Sequence, residues 1–164
     1  MTAWTTTPRT WVAGEVPTAT HFNENVRDFG RAFADAWASY IPTLTASTTN
    51  PTNWTQTGYF MQAGKLVIAK FQVLAGGSMT KGSGTYRVAL PVNAVPQSNI
   101  PVGQVYLSSA GANYYLAHAA IPAAGYAEVV YPSGVGTIGQ VTHAAPWTWA
   151  AGMSISATIV YEAA

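Results

Sequence analysis

From residue 43 onward the sequence is a succession of short strand-like runs, separated by clusters of glycine, proline, asparagine and serine. Runs of this kind are typical of β-strands, and the turn residues between them indicate reversals of the chain. About eight runs at this spacing predict a mainly β fold, an antiparallel β-sandwich or jelly roll. The runs are residues 58–62, 65–74, 85–92, 104–108, 114–121, 127–131, 138–143 and 154–162.

Residues 18–41 carry a different pattern, because apolar side chains recur there at alternating intervals of four and three residues. This period is typical of an amphipathic helix that packs through one seam, and bulky seam residues favour more than two chains. Thr18 or Thr20 could cap the start, and Pro42 would end the helix near Tyr40. The alternative is a helix that covers one face of its own β-domain. The seam residues are Phe22, Val26, Phe29, Phe33, Ala36 and Tyr40.

Residues 1–17 are predicted to form an extended arm, since Pro8 and Pro17 disfavour a helix and threonines surround Trp4 and Trp11. Two tryptophans on an arm without a core of its own usually dock onto another surface, either this protein's body or a partner. The predicted organisation is therefore a docking arm (1–17), a trimerising helix (18–41) and a β head (42–164).

Charged residues are scarce, at 8% of the 164 residues, and seven basic against six acidic side chains give a net charge of +1. The chain thus lacks the basic stripe that nucleic acid requires, and no apolar run approaches the roughly 18 residues of a membrane span. No cysteine is present, which excludes disulfides and thiolate chemistry. A surface so poor in charge favours assembly with other subunits over a soluble monomer.

Candidate catalytic groups are few in the β region. His118 and His143 lie in alanine-rich runs, where a histidine is usually structural, and Glu128 and Glu162 are the carboxylates of this region. Neither zinc-ligand spacing, nor a nucleophile elbow, nor a phosphate-binding glycine loop is present. The sequence therefore predicts a protein that is not an enzyme and needs no metal or cofactor. The alternative is a hydrolase that uses His143 with Glu128.

Aromatic side chains near amide groups are the candidate binding feature, because exposed rings of this kind stack on sugars. Trp147 and Trp149 are two residues apart and would share one face of a strand, whereas the adjacent Tyr114 and Tyr115 would face opposite ways. These four residues are the candidate glycan-binding residues. The alternative is that they pack in the core or at a subunit interface.

Several short motifs follow one another along the chain in a recognisable order. The first are Arg9-Thr10-Trp11-Val12-Ala13-Gly14-Glu15, Thr18-Ala19, Asn23 and Val26-Arg27-Asp28. Later ones are Gly58-Tyr59, Gly64-Lys65, Gly84-Thr85-Tyr86, Leu90-Pro91-Val92, Trp149, Gly152 and Tyr161-Glu162-Ala163. The first series resembles the opening of short virion structural proteins of tailed bacteriophages that infect actinobacteria, and the later motifs resemble the β head of the same group.

The resemblance implies a surface protein of the virion, assembled in the cytoplasm of the bacterial host. Its N-terminal part would attach to the particle through Trp4 and Trp11, and its β-domain would project, typically as a homotrimer. The partner would be a major capsid protein, for a decoration or head-fibre protein, or a tail protein, for a minor tail protein. The alternative is a carbohydrate-binding module that recognises host-surface glycan. Neither reading includes nucleic acid or membrane as a partner.

Overall fold

The computed structural model describes residues 13–22, 37–98, 100–110 and 113–164. The first range contains one helical turn, α1 (Ala19–Phe22), and the others contain ten strands. The strands are β1 (Ala38–Tyr40), β2 (Leu44–Ala46), β3 (Thr52–Ala63), β4 (Leu66–Thr80), β5 (Tyr86–Ala89), β6 (Gly103–Ser108), β7 (Tyr114–Ala123), β8 (Tyr126–Gly134), β9 (Thr137–Gln140) and β10 (Ser154–Glu162).

The strands of the described chain join one antiparallel sheet in the order β1-β3-β4-β10-β6-β7-β8-β5-β2, and β9 pairs with β8 beside this path. The predicted mainly β, antiparallel fold is therefore confirmed. Each of the eight predicted runs overlaps a strand, and β10 has the predicted bounds. A sandwich or jelly roll would divide these strands between two sheets, whereas here the hydrogen bonding continues through one.

The sheet folds over so that its two edge strands lie close together. β1 and β2 are the opposite ends of the strand order, yet only Ile41, Pro42 and Thr43 separate them in the chain. Four Cα–Cα steps span at most about 14 Å, so the two edges meet at this point. The two halves of the sheet therefore face each other across one core, as the layers of a sandwich do.

Strands β3 to β8 and β10 each turn one face inward, because successive side chains of a strand point to opposite sides of the sheet. In β10 the inward residues are the ones that its alternation predicts. Side chains of β3 to β8 and of the long connections enter the same apolar cluster. The inward residues of β10 are Ile155, Ala157, Ile159 and Tyr161.

Two long connections close the two ends of the core. Residues 90–102 bond to the end of β10, where Val95 N–H donates to Glu162 O at 2.9 Å. Residues 141–153 bring Trp149 against Trp54 and Tyr86 at the opposite end. We call the strands with these connections the β body, and its two ends the Glu162 end and the Trp149 end.

The structure corrects the C-terminal limit of the predicted helix. Ala38–Tyr40 is strand β1, in which Tyr40 pairs with Gly58 of β3. The Tyr40 ring lies over Gly58, where a Cβ atom would be 2.5 Å from the ring, and meets Phe60 edge-on at 5.8 Å. This glycine gives the ring a buried place on the sheet, which explains why Tyr40 is in a strand. Tyr40 is therefore not a helical seam residue, and β structure begins at Ala38, before the predicted boundary at residue 42.

The rest of the predicted N-terminal organisation falls mostly outside the described residues. Helical turn α1 begins at Ala19, which places Thr18 at the predicted N-cap position, and its Phe22 is the last residue of this described range. The predicted docking residues and the remaining seam residues are not among those described; they are Trp4, Trp11, Val26, Phe29, Phe33 and Ala36.

Tyr40→Phe is expected to stabilise the protein at neutral pH. The Tyr40 hydroxyl is buried and has no hydrogen-bond partner among the described residues. A buried polar group without a partner costs about 1–3 kcal/mol, so its removal should raise the free energy of unfolding by about 1 kcal/mol. Urea denaturation measures this change.

Tyr161→Phe is the matched control for this substitution. The Tyr161 hydroxyl donates to Val92 O at 2.9 Å, so the same change should lower the free energy of unfolding by about 1 kcal/mol. Equal destabilisation by the two variants would contradict the assignment of Tyr40 as the unpartnered hydroxyl.

Candidate functional site

The outward face of the central strands carries a shallow trough that follows β10. This strand presents the small side chains of Ser156 and Thr158 there, whereas its neighbours present Gln72 on β4 and Tyr106 on β6, both opposite Ser156. Adjacent strands lie about 4.8 Å apart, so the flanking rows of side chains are separated by about 10 Å. The trough has a volume of about 320 Å³, and Gln104 and the residues of β10 line it.

Two tyrosines stack at one side of the trough, where Tyr106 belongs to the lining and Tyr114 lies beyond it. Tyr106 of β6 and Tyr114 of β7 stack with their ring centroids 5.5 Å apart and their planes at 24°. Their side chains are 43% and 66% exposed, and Leu116, which pairs with Tyr106 in the register, is 68% exposed. We call these three residues the tyrosine patch. Adjacent exposed apolar groups of this kind are typical of binding surfaces.

The trough is electrically neutral, because none of the described side chains that line it is Asp, Glu, Lys or Arg. Lys70 is the neighbouring cation in the register, opposite Thr158. Its ammonium group lies 4.6 Å from the centroid of the Trp37 ring and 5.7 Å from that of Tyr59. These cation–π contacts hold the charge towards β3, away from the tyrosine patch.

The structure separates the four predicted glycan-binding residues. Tyr114 belongs to the tyrosine patch, whereas Tyr115 packs against Trp147, at 5.2 Å between ring centroids, and Tyr131, at 5.6 Å. Trp147 is half-buried. Trp149 is only 1% exposed, so it has no surface on which a sugar could stack, and its prediction as a glycan-binding residue is wrong.

Trp149 lies in the core because the connection 141–153 folds over the end of the sheet. Its ring centroid is 5.6 Å from that of Trp54 and 5.8 Å from that of Tyr86. Its indole Nε1 donates to Thr142 O at 2.8 Å, which satisfies the polar atom inside the core. The two-residue spacing from Trp147 indicated a shared strand face, but these residues lie in a connection and meet edge-on at 6.0 Å.

Glu128 is held by an ion pair and a further hydrogen bond. Its side chain is nearly buried, and its two carboxylate oxygens accept hydrogen bonds from Arg87 Nε at 2.9 Å and Gln140 Nε2 at 3.0 Å. The Arg87 guanidinium also lies 4.5 Å from the centroid of the Tyr126 ring. This network joins β5, β8 and β9 on the outward side of the sheet, which is a structural role.

The other ionisable residues considered for catalysis have separate contacts. His143 Nδ1 accepts a hydrogen bond from Gly84 N–H at 3.3 Å, and His118 is exposed on β7. Glu162 forms a surface ion pair with Lys65 at 3.3 Å. Across the described ranges, no group of three or more His, Asp or Glu residues is placed to hold a metal ion.

Sequence reasoning missed Tyr106 and Leu116. The signal for Tyr106 was present, because Val105 and Leu107 alternate with it and both are buried, so Tyr106 must face outward. The register of β6 against β7 was not in the sequence pattern. That register places Tyr106 opposite Leu116, two positions along from the pair of Ser108 and Tyr114 and on the same face, and so assembles the patch.

Within the ranges that the structure describes, no helix has the length and apolar character needed to cross a membrane. Comparisons of the chain with protein-family models, with curated proteins and with solved structures found no match.

Proposed function

We propose that this chain is a non-enzymatic structural protein of a bacteriophage virion surface. It attaches to the particle through its N-terminal region and projects its β body as a homotrimer. The support from the sequence is the series of motifs between Arg9 and Asp28 and the later motifs of the β region, which together run over most of the chain. The attachment site is the capsid, for a decoration or head-fibre protein, or the tail, for a minor tail protein.

The observation that carries this proposal is the apolar character of the exposed surface. Four aliphatic residues on loops and edges of the β body are more exposed than buried: Ile41, Ile100, Val135 and Ile138. Only 8% of the residues of the chain are charged, so few charges oppose association of this surface. Such a surface suits a subunit that is surrounded by partners in an assembly.

The position of β1 supports attachment through the N-terminal region. The chain enters the sheet at this edge strand, where Ala38 pairs with Phe60 on the half of the sheet nearer the Glu162 end. The tyrosine patch lies nearer the Trp149 end, where Tyr114 pairs with Ser108. An arm that binds the particle from the β1 edge therefore leaves the Trp149 end available to project.

Phe29→Asp is expected to dissociate the homotrimer, because it would bring three carboxylates together at the predicted seam. Light scattering of the full chain should give a mass near three subunits of 17.3 kDa, and the variant should give a mass near one. Arg31→Asp is the matched control, since it places the same side chain on the predicted helix at a residue that does not belong to the seam. This variant should stay trimeric. A trimeric Phe29→Asp variant or a monomeric wild type would overturn the seam.

The location in the virion is tested by immunogold labelling. Antibodies against the chain should label intact particles of the phage that encodes it, and the position of the label distinguishes capsid from tail. Particles that carry no label, with the chain found only in the soluble fraction of infected cells, would reject the virion role.

A further inference from the structure

We propose that the trough along β10 and the tyrosine patch form a binding site for a neutral carbohydrate. One sugar ring stacks on the pair Tyr106–Tyr114, and its hydroxyls bond to the amides and hydroxyls of the trough. Such a site goes beyond a structural role, and it does not depend on where the protein is attached.

The tyrosine pair supplies the apolar part of this recognition. One face of a pyranose ring consists of C–H groups, which pack on an aromatic ring, while its hydroxyls point sideways. Tyr106 and Tyr114 keep ring surface exposed to solvent, and Leu116 extends the same patch. Because the two rings already stack at 5.5 Å, they lose little side-chain freedom when a ligand binds.

The trough supplies the polar part. Gln104, Ser156 and Thr158 line it beside the tyrosines. Gln72 of β4, next to the trough, donates from Nε2 to Ser156 Oγ at 3.3 Å. Amides and hydroxyls both donate and accept hydrogen bonds, as sugar hydroxyls do. Small-ligand pockets with an aromatic wall and a few convergent polar groups have this composition.

The absence of charge from the described lining of the trough selects the class of sugar. An acidic sugar or a nucleic-acid backbone would require a cation in the site. Lys70, the neighbouring cation, is held between the Trp37 and Tyr59 rings towards β3. The volume of about 320 Å³ is at the lower end of small-ligand pockets, so it fits one or two sugar rings.

The test is binding of the full chain to an array of printed neutral and acidic glycans, followed by calorimetric titration with the free neutral oligosaccharides that bind. Tyr106→Ala and Tyr114→Ala should each weaken binding by about tenfold or more, as loss of a stacked ring does. Tyr114→Phe keeps the ring and should bind nearly as wild type. Leu66→Ala is the control, because Leu66 is 44% exposed on the same face of β4 but lies at the Glu162 end, outside the trough; it should leave binding unchanged.

Three outcomes would overturn the proposal: no neutral glycan bound, binding of acidic glycans alone, or equal binding by the wild type and both alanine variants. If the wild type binds no neutral glycan and Leu116→Asp dissociates the oligomer, the patch is a subunit interface and not a sugar site. Circular dichroism controls the fold of each variant. Immunogold labelling of particles that carry Tyr114→Ala should match the wild type, so a failed glycan site and a failed virion role give different results.

Discussion

Trp149→Ala is expected to lower the free energy of unfolding by about 3–5 kcal/mol, the usual cost of replacing a buried large aromatic residue by alanine. The Trp149 ring packs against both Trp54 and Tyr86 at one end of the core, and these two rings also contact each other at 5.9 Å. The substitution also leaves Thr142 O without its donor at 2.8 Å. Urea denaturation of the variant measures the loss.

Two further variants test how much of this loss depends on the Trp149 ring. Trp149→Phe keeps a six-membered aromatic ring but removes the rest of the indole with its N–H, so it should cost less than the alanine variant. Trp147→Ala should also cost less, because Trp147 is half-buried and its Nε1 has no described partner. If Trp147→Ala proved as costly as Trp149→Ala, the end of the core would be organised around Trp147 instead. Because Trp149→Ala is expected to destabilise the fold strongly, a loss of sugar binding in this variant would not show that Trp149 contacts the sugar.

Raising the pH above 10 is expected to destabilise the protein steeply. Burial raises the pKa of Tyr161 to about 12 from its usual value of 10.0. Burial also raises the pKa of Tyr86, and burial with the nearby Tyr161 raises the pKa of Tyr40. Between the unfolded and folded pKa values the unfolded chain releases protons that the folded chain retains, so stability falls as the pH rises.

The expected size of this effect is a loss approaching about 1.4 kcal/mol per pH unit for each of the three tyrosines. Below pH 10 all three are protonated in both states, so they contribute no pH dependence there. Together they could offset a typical stability of about 5–15 kcal/mol within a few pH units. Urea denaturation from about pH 9 to about pH 12 measures the slope.

Tyr86→Phe and Tyr161→Phe identify the source of the alkaline slope. Each should reduce the slope of the free energy of unfolding against pH by the contribution of one tyrosine. Each also loses a hydrogen bond, which Tyr86 donates to Lys81 O at 2.8 Å and Tyr161 donates to Val92 O at 2.9 Å. The difference from the wild type removes the contribution of lysines, which titrate in the same range. Unchanged slopes in both variants would show that these hydroxyls do not control alkaline unfolding.

The sequence by itself determined where eight of the ten strands of the described residues lie, β3 to β10, and which way many of their side chains face. β10 is the clearest case, since its alternation gives both its bounds and its buried face. The physical reason is that a period of two and the turn residues are local properties of the chain. Scarcity of charge is likewise a property of composition, and it already indicated a surface suited to partners.

Only the tertiary structure decided how the strands pair and what the aromatic residues do. β10 lies between β4 and β6, and Trp149 is buried because a connection folds over the core. Tyr40 is a strand residue because it pairs with Gly58, which is distant in the chain and has no side chain to displace the Tyr40 ring. The stacking of Tyr106 on Tyr114 follows from the register of β6 with β7. Register and closure depend on contacts between residues far apart in the chain, which no local pattern contains.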